Sequence, residues 1–115
     1  MNNIDNLTYK EMKEIANLFG NQTKSDSKNP FEIGKKYFIR TVTMHLVGKL
    51  EAVFDTELVI SGASWIADSG RFFDALKDGE KAINEVEPFL KDVIIGRGSL
   101  IDMTEWSHEL LNKQK

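Results

Sequence analysis

Val47-Gly48-Lys49-Leu50-Glu51-Ala52-Val53-Phe54-Asp55-Thr56-Glu57-Leu58-Val59-Ile60 reads as two β-strands joined by a turn. β-Branched and apolar residues crowd into runs of strand length on either side of Asp55-Thr56-Glu57. Outward from this hairpin, the spacing predicts strands over 36–45, 46–55 and 57–67. A short helix over 71–77 follows, with Phe72, Phe73 and Leu76 as apolar anchors and Gly79 as its stop. Further strands are predicted near 83–87, 92–96 and 99–105, with Gly96-Arg97-Gly98 as the tight link between the last two. Gly48 and Gly62 fall inside strands, where glycine marks a bulge or a sharp bend. Residues 107–115 read as a tail carrying a short helix that frays.

Upstream, Thr8-Tyr9-Lys10-Glu11 forms a capping box, and Leu7 and Met12 stand where a hydrophobic staple needs them. Met12, Ile15, Ala16 and Phe19 repeat at helical spacing, so a helix is expected over 9–19, ended by Gly20. Asn21 to Pro30 form a polar linker. The domain plan is therefore an N-terminal helix and linker over 1–30, a β domain over 31–106 and a tail over 107–115.

The composition narrows the chemistry. A chain of 115 residues makes one domain with little room for a second. Cysteine is absent, which removes disulfides, thiolate catalysis and Cys-type zinc sites and fits a cytoplasmic setting. Two histidines, His45 and His108, are too few for a His-based metal centre without several carboxylates. The net charge of −3 argues against extended DNA binding, which draws its affinity from a basic face. No apolar run has the length of a membrane span, and the N-terminus lacks a signal-peptide pattern. No nucleophile, base and stabiliser stand in a catalytic arrangement, so no enzyme activity, cofactor or metal is expected.

The densest chemistry lies in Trp65-Ile66-Ala67-Asp68-Ser69-Gly70-Arg71-Phe72-Phe73. Trp65 and Phe72 are candidates to stack a base from two sides; the alternative makes both core aromatics. Arg71 and Arg97 are candidates for phosphate, since a guanidinium offers a fork of donors. Arg97 is flanked by Gly96 and Gly98, where backbone amides can also face an anion. The alternative pairs Arg71 with Asp68 or Asp74 and makes Arg97 a turn or subunit contact. Asp68 can accept from a ribose or base amine, or cap the following helix together with Ser69. Arg40, within a strand, is expected to pair with a carboxylate. The ligand site expected from these residues is Trp65, Asp68, Arg71, Phe72, Arg97 and Gly98.

Short strands with glycine bends make a mainly β (α+β) domain and suit a small SH3-like or Sm-like barrel of five to six strands. Two segments carry a loose resemblance to the Sm/Lsm pattern: Val47 to Asp55 with Leu58-Val59-Ile60, and Val93-Ile94-Ile95-Gly96-Arg97-Gly98-Ser99-Leu100-Ile101. Where that family usually carries a base-reading asparagine, this chain has Leu58, Val59 and Ile60. The insert from Ser64 to Ala82 also exceeds a minimal Sm loop. The stretch from Gly34 to Trp106 resembles a family of small uncharacterised tailed-bacteriophage proteins. The strings that carry this are Phe38-Ile39-Arg40-Thr41-Val42-Thr43, Trp65-Ile66-Ala67-Asp68 with Gly70-Arg71-Phe72, Val86-Glu87-Pro88-Phe89 and Gly96-Arg97-Gly98. This second resemblance implies a phage or prophage origin.

The expected function is a phage-encoded, non-enzymatic homo-oligomer that captures a nucleotide-type small molecule, as a sponge for a host immune signal would. One alternative is an Sm-like ring binding single-stranded RNA. Another is a protein-binding inhibitor of a host factor.

Overall fold

The structure, a computed structural model, describes residues 30–115. The helix expected over 9–19 and all but the last residue of the linker lie outside the described residues. Phe31–Lys115 form one compact unit. None of the described helices is long and apolar enough to cross a membrane.

Six antiparallel strands make one sheet: β1 (Lys36–Thr41), β2 (His45–Val53), β3 (Glu57–Asp68), β4 (Glu85–Pro88), β5 (Val93–Gly96) and β6 (Leu100–Glu105). One helix, α1 (Phe72–Asp78), and a 3-10 turn, Gly79–Ala82, fill the gap between β3 and β4. A second 3-10 turn, Arg97–Ser99, joins β5 to β6. The strand order is β4-β3-β2-β1-β6, and β5 pairs with the first part of β3. The six expected strands and the short helix are all present.

Two details differ from expectation. The first two strands do not run on continuously to residue 45. Thr41 breaks them: its Oγ1 donates to the Met44 carbonyl at 2.9 Å and accepts the Met44 N–H at 3.1 Å, closing a turn over 42–44. The tail over 107–115 contains no helix. Its carbonyls are taken by distant side chains instead: Lys36 Nζ donates to His108 O at 2.6 Å, and the buried Ser64 hydroxyl donates to Leu111 O. Val86 and Lys115 exchange two backbone bonds, so the tail ends as an edge partner of β4. Trp106 and Leu111 are buried by this path.

Both faces of the sheet are apolar. Alternation along β1 sends Tyr37 and Ile39 to an inner cluster with Leu46, Leu50, Leu58 and Ile60. It sends Phe38 to an outer cluster with Val47, Ile66, Val86, Trp106 and Leu111, covered by α1 and the tail. Cross-strand register extends this: Met103, Ile39, Leu46, Trp65 and Glu87 form one row, and Asp102, Arg40, His45, Ile66 and Val86 form the neighbouring row.

The sheet is strongly bent. Arg97 N–H donates to Thr56 O just before β3, and Ser99 O accepts the Val42 N–H just after β1. These two points flank opposite ends of β2, which if straight would span about 26 Å at ~3.3 Å per residue. The intervening 3-10 turn covers only about 6 Å at ~2.0 Å per residue. β2 must therefore fold over, and Gly48 stands at its middle. A Cβ there would lie 2.2 Å from Ile60 Cγ2 and 3.2 Å from the Ala63 Cα. Opposite it, Gly62 takes φ 55°, and β3 advances one residue more than β2 between the Val47–Ser64 and Lys49–Ser61 pairs. The bulge and bend expected at these glycines are both present.

Gly48→Ala is expected to cost about 1–3 kcal/mol through overpacking against the backbone and Ile60. Gly98→Ala meets nothing within 4 Å and is expected to stay within about 0.5 kcal/mol of the parent. Thermal unfolding of the two variants side by side checks this; equal midpoints would refute the role given to Gly48.

Candidate functional site

The six residues expected to form the ligand site are not gathered in one place. Trp65 lies in the second half of β3, opposite Leu46 and Glu87, on the row that continues the inner face. Its ring is not enclosed: the residue is 43% exposed, whereas Trp106 is 1% exposed. Trp65 borders a cavity of about 290 Å³, lined by the β1–β2 turn from Thr41 to His45 and by Ile66 and Ala67. The turn is fixed by the Thr41 hydroxyl, which also accepts the Thr43 N–H at 3.4 Å, so one wall of the cavity is held by a buried side chain.

Asp68 and Arg71 follow directly. Asp68 ends β3, and its Oδ1 accepts the Gly70 N–H at 2.9 Å. Gly70 is required there: φ is 63°, and a Cβ would meet Ala82 O at 2.9 Å. The expectation that Asp68 or Ser69 caps the helix is corrected. The N-cap residue is Arg71, and no side chain caps α1. Asp68 closes the corner before the helix instead. Arg71 makes no ion pair with Asp68, Asp74 or any other carboxylate among the described residues. Its charge is therefore available at the surface.

Phe72 belongs to the outer face. It packs edge-on against Phe38 with ring centroids 5.4 Å apart, and the Arg40 guanidinium lies 4.6 Å from its ring centre. Trp65 and Phe72 do not face each other across a gap, and the two-sided stack does not form within one chain. Phe72 holds α1 and Arg40 on the sheet.

Arg97 is also engaged elsewhere. Its Nη1 donates to Phe54 O at 2.7 Å and to Asp55 O at 3.3 Å, and its guanidinium lies 4.9 Å from the Phe31 ring centre. It clasps the β2–β3 turn. Arg97 is spent on the turn before β3, whereas Arg71 follows the other end of that strand, and among the described residues no contact joins the two. Gly98 has open space around it and no positive φ.

Arg40 pairs with a carboxylate, as expected. Its Nε donates to Asp102 Oδ1 at 2.8 Å, and Nη2 donates to Oδ2 in a two-point pair. Hydrogen bonding from Arg40 holds the Asp102 carboxyl below its ordinary range; the charges of Arg40 and His45 act in the same direction and partial burial opposes them. Arg40 is raised by the same hydrogen bond.

A larger cavity, about 490 Å³, lies between the tail from Ser107 to Lys113 and the end of α1. Lys36, Lys81 and Lys113 line it together with Asp78, Glu80 and Glu109. This even mixture of charge selects neither an anion nor a cation. Among the described residues no group of His, Asp and Glu could hold a metal ion.

Arg97→Ala is expected to lower stability by about 1–2 kcal/mol, through loss of two carbonyl contacts, and to leave ligand affinity unchanged. A drop in affinity at unchanged stability would reverse this assignment. Because the folded value of Asp102 is lowered, its contribution is present above the unfolded carboxylate value of about 3.9 and lost as pH falls through the folded value. The stability gap between the parent and Asp102→Asn should therefore narrow as pH is lowered from 6 to 3. A gap constant across that range, followed by circular dichroism, would show the pair to be inert.

Comparison with protein families, curated proteins and solved structures gives no match to this chain.

Proposed function

We propose that this chain is a phage-encoded, non-enzymatic protein that captures a nucleotide-type small molecule at the Trp65 end of its sheet. The observation that carries the reading is the half-exposed indole of Trp65 bordering a cavity of about 290 Å³, one wall of which is a fixed turn. Stacking on an aromatic ring supplies about 1–3 kcal/mol per base. Arg71, unpaired and just beyond Asp68, is the cation nearest in sequence for phosphate, with the Asp68 carboxylate beside it. The resemblance to tailed-phage proteins supports a host-cell cytoplasmic setting and a role in sequestering a host signal. Tight binding without turnover serves such a role.

The fold within this reading is a small SH3-like or Sm-like barrel. Its support is the three-residue link between β5 and β6, which pair with β3 and β1 respectively. Ile94 and Ile101 are exposed on those two strands and support assembly as a homo-oligomer. An Sm-like reading of RNA bases is disfavoured, because Leu58 and Ile60 are completely buried. The protein-partner reading draws on a different observation: Phe73 and Leu90 are large, apolar and exposed away from the Trp65 cavity.

Native mass spectrometry of protein purified from its expression host is expected to give an oligomer that releases a nucleotide mass on denaturation. Trp65 fluorescence should be quenched by that nucleotide, against the steady background of buried Trp106. Trp65→Ala should weaken binding at least tenfold with no loss of fold. Unaltered affinity in Trp65→Ala would overturn the site.

A further inference from the structure

Glu87 is the register partner of Trp65 across the β3–β4 pair. Val86, one residue before it, is buried in the outer cluster opposite Ile66, so Glu87 turns to the same face of the sheet as Trp65. Directly opposed residues of an antiparallel pair have Cβ atoms about 4.5–5.5 Å apart. The row extends by one more residue. Val86 exchanges two backbone bonds with Lys115, which puts Gln114 beside Glu87. The Gln114 amide donates to the two Glu87 carboxylate oxygens at 3.1 and 3.0 Å. An indole, a carboxylate and an amide that orients the carboxylate thus stand side by side on one face. No lysine or arginine pairs with Glu87 among the described residues. An ionised carboxylate only accepts, at about four lone-pair sites, and a glutamine amide has two N–H bonds to give. Acceptor capacity is therefore left over next to the exposed ring of Trp65.

We infer that Glu87 reads the base that stacks on Trp65, and that this base is guanine. This rests on the proposed capture function and adds a base selectivity to it. Guanine carries two donors next to each other on one edge, the ring N1–H and the exocyclic amine, and they can meet the two oxygens of one carboxylate. Adenine and cytosine set a ring-nitrogen lone pair beside their amine. Uracil sets its single N–H between two carbonyls. A carboxylate has no donor to offer those lone pairs, so each of these bases brings lone pair against charge. Charge-assisted bonds are about twice as strong as neutral ones, and a site built on them rejects an analogue that lacks the donors. The sugar is attached to the other ring of guanine, so this edge-on contact carries the phosphate away from the carboxylate. Glu87 flanks Trp65 from the β4 side, whereas the turn that walls the cavity leads into β2. Strands lie about 4.8 Å apart, a spacing that a purine lying on the indole spans.

The test uses the full chain, with Trp65 fluorescence read against the 5′-monophosphates of guanosine, inosine and adenosine. The three share one sugar and one phosphate, so their differences report the base alone. Guanosine monophosphate is expected to bind at least tenfold tighter than adenosine monophosphate in the parent. Inosine monophosphate, which keeps N1–H and lacks the amine, should fall between them. In Glu87→Gln the guanosine-to-adenosine ratio should drop to about one or invert, because a glutamine amide offers adenine both a donor and an acceptor. The ratio also cancels the loss of a negative charge, which favours all three anions alike. Matching unfolding midpoints check that Glu87→Gln is folded. No guanine preference in the parent, or one that persists in Glu87→Gln, overturns the role of Glu87 and leaves the Trp65 site standing. Inosine monophosphate binding as tightly as guanosine monophosphate overturns the two-donor contact. No saturable quenching by any of the three overturns the capture reading and this inference with it.

Discussion

One three-residue turn constrains this fold more than any other contact. Arg97–Ser99 bonds the approach to β3 through one residue and the exit from β1 through another. These points belong to opposite ends of β2, so the β2–β3 hairpin cannot be flat. The bend falls where side chains are smallest, at Gly48 on β2, with the extra residue at Gly62 on β3 to take up the difference in path. Arg97 reinforces the arrangement by donating to the carbonyls of the β2–β3 turn. Backbone curvature, glycine placement and a guanidinium clasp are three expressions of the same bend.

Curvature then decides where chemistry can occur. Folding β2 over the inner cluster encloses Leu50, Leu58 and Ile60, and the tail and α1 cover the outer cluster. Trp65 comes after the enclosed part of the inner row, where its neighbours are the β1–β2 turn and the charged side chain of Glu87. Its exposure is thus a product of position along β3. The same strand continues to Asp68 and the Gly70 corner, which sets Arg71 at the mouth of the helix. The outer row at this level carries Arg40 and Asp102, whose pair is locked beneath Phe72 and holds β1 and β6 together.

Local pattern carried most of the strand layout. Alternation and β-branching marked all six strands, and glycine marked the bulge and the bend. The turn over 42–44 was not legible because Val42, Thr43 and Met44 look like strand residues; the signal was Thr41, whose hydroxyl can imitate a backbone partner. The tail departs from helix for a different reason. Its conformation is set by Ser64 and Lys36, which are 47 and 72 residues away in sequence. The site suffered similarly. Trp65, Asp68 and Arg71 are near neighbours in sequence along one strand and its corner, yet neither Asp68 nor Arg71 lines the cavity at Trp65. Arg97 and Phe72 stand out in sequence by residue type, but long-range carbonyls and rings engage them.

The tail has a further consequence for how the chain reaches this state. β1 is made before the other five strands of this sheet, yet its second partner, β6, is made more than sixty residues later, at the Arg40–Asp102 pairing. The outer face waits longer still for Trp106 and Leu111. Until those residues clear the ribosome, Phe38, Val47 and Val86 have no tail over them, and the backbone of Val86 lacks its Lys115 partner. Such non-local closure is slow relative to local pairing. The nascent chain is therefore a half-covered sheet with an open edge until the tail is made, and this interval is where chaperone contact and misassembly between neighbouring nascent chains would concentrate.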